Sequence, residues 1–308
     1  MLLLIWKLLW PTLAGIVLAV TAWSVLRRSA RLLLVGRAPT AVMVGTASLV
    51  TVGYPFLVVA VLLIGAPYQE WPAIADARFA LPLVLGLLVL ILLGAVRPSP
   101  SPGAASGALL APRSWRSFLS SWWIGAFLAV LGLIVALSLA AGFASQPNDA
   151  GEYVLYEISF DSSSAMLMPI YGWHLSLVPL ALLVPLCAAT WWTLHRIARP
   201  PLAAEHTADA VDRRLRSANV LRVTLGALLL HLTVILHSLA DTSRATLSVS
   251  PTEDVTFSGG TPFSALTGTL DVLALLAGIL GLALWVFTML TAVPAPSASR
   301  SRRAPVSS

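Results

Sequence analysis

Long apolar runs, each closed by a charged or proline-rich break, dominate this 308-residue chain. A helix needs roughly 20 predominantly apolar residues to cross the hydrocarbon of a bilayer. On that measure the hydrophobic windows predict spans at 3–26, 41–66, 79–96, 118–144, 168–194, 218–240 and 264–293. The pattern is that of an all-α membrane protein, a polytopic bundle of about seven transmembrane helices forming one integral domain over residues 1–293. Between the third and fourth runs, residues 97–117 are rich in proline, serine and glycine and predict a flexible cytoplasmic linker. The segment 294–308 has the composition of a disordered cytoplasmic tail.

The breaks alternate in charge. Arg27, Arg28, Arg31 and Arg37 follow the first run, and Arg97, Arg113 and Arg116 the third. Arg196, Arg199, Arg213, Arg214 and Arg216 follow the fifth, and Arg300, Arg302 and Arg303 the last. The other breaks are mainly acidic: Glu70, Asp76 and Arg78; Asp149, Glu152, Glu157 and Asp161; Asp241, Arg244, Glu253 and Asp254. Under the positive-inside rule the arginine-bearing loops are cytoplasmic, which puts the amino terminus outside and the carboxyl terminus inside. Lys7 and the terminal amine favour an inward start, so an interfacial first helix with six crossings is the competing count. The first run lacks a preceding basic region and ends in Arg27 and Arg28 instead of a small-residue cleavage site, so it reads as a retained span.

Two of the acid-bearing connections, GEYVLYEISFDSSS and ATLSVSPTEDVTFSGG, are β-prone and predict small extended or hairpin structures outside the membrane that pair into a cap. Each lies between two apolar runs, and the fifth and seventh runs share leucine-rich starts, late tryptophans and closing prolines. A duplication of helix, strand loop and helix is one explanation of that echo.

Composition sharpens this picture. The chain is 58% hydrophobic and 10% charged with a mean hydropathy of +0.87, where soluble domains carry about 25% charged residues. The net charge of +6 comes from clusters beside apolar runs, so the expected partners are the bilayer and anionic lipid head groups at the cytoplasmic arginines, not nucleic acid. All basic residues but Lys7 are arginine, a bias that points to a high-GC bacterial genome and hence to the bacterial cytoplasmic membrane. The lone Cys187 excludes an intrachain disulfide.

Helices in lipid associate through small residues that let backbones approach. Gly125, Ala129, Gly132, Ala136 and Ala140 follow four-then-three spacing on the fourth run, and Gly268, Asp271, Gly278 and Gly281 mark a face of the seventh. Both faces predict close packing. The sixth run, with Asn219, Arg222, Gly226, Thr233 and His237 on one side and Thr224, His231 and Ser238 on another, predicts a helix buried from two directions. Six residues turn a helix by about 600°, so His231 and His237 diverge by about 120° and cannot chelate one metal together. Pro179 and Pro185 predict kinks in the fifth run.

An ionisable side chain within a bilayer is a functional hypothesis by default. The predicted topology brings His174, His231, His237, Asp241 and Asp271 toward one outward-facing polar pocket. No metal-binding, nucleotide-binding or nucleophile-elbow motif occurs, so no cofactor and no catalytic residue is assigned. The expectation is a non-enzymatic sensor, accessory or assembly subunit with a membrane-protein partner. The alternatives are a small transporter or channel with Asp271, His231 and His237 on its pathway, and an intramembrane metal- or haem-dependent enzyme.

Overall fold

Leucine, valine and alanine runs that satisfy their backbone only by coiling become long helices, which continue through Pro11, Pro82, Pro179 and Pro185. The computed structural model describes residues 2–29, 38–63, 72–95, 120–161, 164–199, 206–252 and 255–292. The predicted linker at 97–117 and tail at 294–308 lie outside the described residues.

In chain order the elements are α1 (Leu2–Ser29), α2 (Ala38–Leu63), α3 (Pro72–Ala95), α4 (Ser121–Phe143), β1 (Gln146–Pro147), β2 (Tyr153–Asp161) and β3 (Ser164–Pro169). There follow α5 (Trp173–Ala198), α6 (His206–Ser243), β4 (Thr246–Thr252), β5 (Val255–Gly260), a 3-10 turn at Ser264–Leu266 and α7 (Thr267–Ala292). Six of these helices contain stretches long and apolar enough to cross a membrane, while in α2 the described apolar part runs Thr40–Tyr54. This is the architecture of an all-α, multi-pass membrane bundle.

Three predicted boundaries move, each for a local reason. The fifth helix does not begin at Met168, because Met168 pairs with Tyr156 in the β2–β3 ladder. Gly172 then turns the chain into α5 at a point where a Cβ would stand 2.1 Å from the Tyr153 carbonyl oxygen, so only glycine fits. At the other end of the hairpin region, Ser264–Leu266 winds as a separate 3-10 turn before α7 starts at Thr267. The sixth helix reaches back to His206, because its arginine-bearing turn is amphipathic and closed by an Arg216–Asp212 pair at 2.9 Å.

The bundle is organised around α6. Within its apolar stretch 72% is buried inside the protein, against 11% for α1 and 17% for α4. Helices α3, α4, α5 and α7 surround it, and α1 and α2 lie against α7. The closest seam joins α6 to α7. A Cβ on Gly226 would meet Trp285 at 2.3 Å, and one on Gly281 would meet Leu230 at 2.9 Å, so the two backbones touch through paired glycines. Buried Trp285 donates its Nε1–H to the Val223 carbonyl at 2.9 Å across that seam. On the opposite side Thr224 bonds Thr190 of α5 at 2.9 Å. The two polar faces read from the sequence thus meet two different neighbours.

β1, β2 and β3 form one antiparallel sheet in that order, and β4 and β5 form a second. They do not join into one sheet. Instead the Tyr156 and Phe263 rings meet edge-on at 5.7 Å, and Thr242 Oγ1 donates to the Pro169 carbonyl at 2.7 Å. Helix–strands–helix order recurs, but α6 and α7 pack along their length whereas α5 packs mainly on α3.

Candidate functional site

At the hairpin end of the bundle, Arg244 is the first residue beyond α6. Its Nη1 lies 2.5 Å from Asp241 Oδ1, and its Nη2 donates to Asp271 Oδ2. The hydrogen bond to Asp271, reinforced by both carboxylates, holds the guanidinium above its ordinary pKa. Because α7 begins at Thr267, Asp271 sits one turn into its helix and not two, beside the loop and partly exposed. His237, one turn before Asp241, is exposed on α6.

His174 occupies the first turn of α5, with Nδ1 3.7 Å from Glu152 Oε1. The loop presenting Glu152 is fixed by Asn148: its Oδ1 accepts the N–H groups of Ala150 and Glu152, and its Nδ2 donates to Glu152 Oε2 at 3.0 Å. Asp76, near the start of α3, lies within electrostatic reach of His174, Arg78 and Glu152.

His231 is different. It is fully buried, and its Nδ1 is 2.7 Å from the Phe79 carbonyl of α3. A carbonyl only accepts, so Nδ1 carries the proton and Nε2 offers a lone pair, for which no partner is found among the described residues. Pro82 supplies no N–H to the turn of α3 that precedes it, and Phe79 lies in that turn. The Tyr171 ring stacks edge-on to His231 at 6.5 Å and lies 5.0 Å from Phe79. Burial raises the Tyr171 phenol above its usual pKa; Ser138 Oγ is close by, yet neither hydroxyl completes a well-formed hydrogen bond.

The five residues read as one pocket are therefore distributed. Asp241 and Asp271 meet through Arg244, His174 pairs toward Glu152, His237 faces outward, and His231 is locked between helices. Among the described residues no group of three or more His, Cys, Asp or Glu is placed to hold a metal. Sequence reasoning missed Arg244 as the bridge, although its position as the only cation in an otherwise acidic connection was a usable signal.

A cavity of about 190 Å³ opens elsewhere, where α1, α2, α3, α6 and α7 converge. Its walls are mainly apolar, with Thr12, Thr51, Tyr54, Arg78 and Thr233 as polar elements, and none of the five pocket residues lines it. At the arginine-rich end, buried Arg213 donates from Nη1 to the carbonyls of Ile197 and Ala198 at 3.2 and 3.3 Å, closing the last turn of α5. Arg222, further along α6, donates from Nη1 to Asn219 Oδ1 at 2.7 Å. Asn219 Oδ1 also accepts from Thr291 of α7 at 3.3 Å.

The predicted packing residues also divide. A Cβ on Gly278 would stand 3.4 Å from Thr233 and one on Gly281 would meet Leu230, both on α6. Gly125, Ala129, Gly132, Ala136 and Ala140 instead all lie exposed on α4, and a Cβ on Gly125 or Gly132 would meet nothing within 4 Å. Gly268 is likewise open.

Comparison of the chain with protein-family models, with curated proteins and with solved structures finds no match.

Proposed function

We propose that this chain is a non-enzymatic subunit of a bacterial cytoplasmic-membrane system, of the sensor, accessory or assembly type, crossing the membrane seven times with its amino terminus outside. The observation that carries the reading is the open face of α4. Five small residues at helical spacing are exposed, pointing away from the other described residues. Lipid tails solvate leucine as well as any protein surface does, so small side chains on an exposed helix favour the close approach of another backbone. A helix of a membrane partner is the occupant this reading assigns to that face. The ionisable groups support it from the other side: Asp271 is held by Arg244, and His231 is tied through Nδ1 to a backbone carbonyl. The transport alternative has less support, since Asp271 lies near a helix end and does not line the cavity.

The test is purification of the tagged full-length chain from native membranes. A specific polypeptide should accompany it and should be lost from the Gly132→Leu, Ala136→Leu double variant, while the variant's own yield stays at the wild-type level. Retention of that polypeptide by the variant sinks the proposal, as does the absence of any specific companion.

A further inference from the structure

Among the described residues, Arg222 is a cation without an anion. It lies within the apolar stretch of α6, six residues beyond Arg216, or about 9 Å deeper at 1.5 Å per residue. Among the described residues no carboxylate forms an ion pair with it, and its hydrogen bond goes to the neutral Asn219. A guanidinium carries five N–H donors, which leaves most of them unmatched by protein. Leaving a charge uncompensated away from water is costly, so the site favours an anion from outside the chain.

The surroundings say what kind of partner fits. The guanidinium carbon lies 5.6 Å from the Trp123 ring of α4 and 4.7 Å from the Phe287 ring of α7. Those rings flank the cation, one from each of two helices that pack on α6. The side chain turns back toward Asn219, three residues nearer the arginine-rich end, which is the direction an arginine takes when it reaches from the hydrocarbon toward head groups. Among the described side chains at this end of α6, Arg213, Arg214 and Arg216 are cations, Asp212 is engaged by Arg216 at 2.9 Å, and Arg214 is exposed.

We propose that Arg222 is the phosphate-binding residue of a specific site for an anionic phospholipid, with the head group on the guanidinium edge and the acyl chains beside Trp123 and Phe287. The site refines the general expectation of lipid contact at the arginine-rich end to one residue, and it stands whether or not α4 docks a partner.

The experiment is native mass spectrometry and thermal unfolding of the full chain in a neutral detergent, with dioleoyl-phosphatidylglycerol as the probe. The wild-type chain should retain this lipid and unfold at a higher temperature in its presence. Dioleoylglycerol, which has the same chains without the phosphate, should give no shift. Arg222→Gln should weaken retention by about tenfold or more, as expected for loss of charge-assisted hydrogen bonds. Arg214→Gln should leave it unchanged. Equal loss in both variants would mean diffuse attraction and would overturn the site, and so would an equal shift from dioleoylglycerol. A matching shift from inorganic phosphate alone would assign the oxyanion to a soluble source and reject the lipid. The wild-type comparison of the two lipids decides the matter even if Arg222→Gln fails to fold.

Discussion

At the scale of single residues, the polar atoms inside this bundle act mainly as fasteners. His231 spans α6 and α3 by one hydrogen bond to a carbonyl in the turn before Pro82. His231→Leu removes that donor and should cost about 1 kcal/mol, the usual scale for interhelical hydrogen bonds in membranes. Unfolding by titration with a denaturing detergent measures it, and an unchanged midpoint would show that the bond contributes nothing. Chelators should not alter the same midpoint. That His231 is buried was legible from its place on a two-sided polar helix. Its partner was not, because a backbone carbonyl leaves no mark in the sequence. Asp271 was misjudged in depth for a related reason: the apolar run continues through Ser264–Leu266, where the backbone is a 3-10 turn and not yet α7. With Arg244, Asp241 and Asp271 all substantially exposed, their pairing contributes little, about 1 kcal/mol at most.

At the scale of elements, two runs of small residues look alike in sequence and have opposite fates. Gly226 and Gly281 lie in the tightest helix contact, whereas Gly132 lies on open surface. Gly226→Leu should therefore destabilise the bundle by about 1–3 kcal/mol through overpacking against Trp285. Gly132→Leu should change its stability by no more than about 0.5 kcal/mol. Thermal midpoints of the two variants in one detergent make the comparison, and a larger loss from Gly132→Leu would reverse the assignment of the faces. Spacing alone gave the faces but not the neighbours, because periodicity reports direction around a helix axis and nothing about which helix stands there. Element existence was more legible than element ends. Crossing-length apolar runs leave a chain few choices in lipid, while Gly172 ends the β3 turn through a contact with Tyr153 that is distant along the chain.

At the scale of the whole molecule, the proposed topology assigns the arginine-bearing and acid-bearing connections to opposite sides of the membrane. In a Cys187→Ser background, a cysteine at Glu157 should label with an impermeant reagent from outside intact cells, and one at Arg214 only after the membrane is opened. Labelling of both from the same side would overturn the proposed sidedness. The position of α6 at the centre has a further effect on how such a chain is made. His231 and Phe79 are 152 residues apart, which at about 5–20 residues per second separates their emergence from the ribosome by on the order of ten seconds. Throughout that interval the third helix waits in the translocon's neighbourhood without the side chain that completes it. A message broken before the sixth helix would leave it waiting for good, an unfinished product of the kind that membrane quality-control proteases remove.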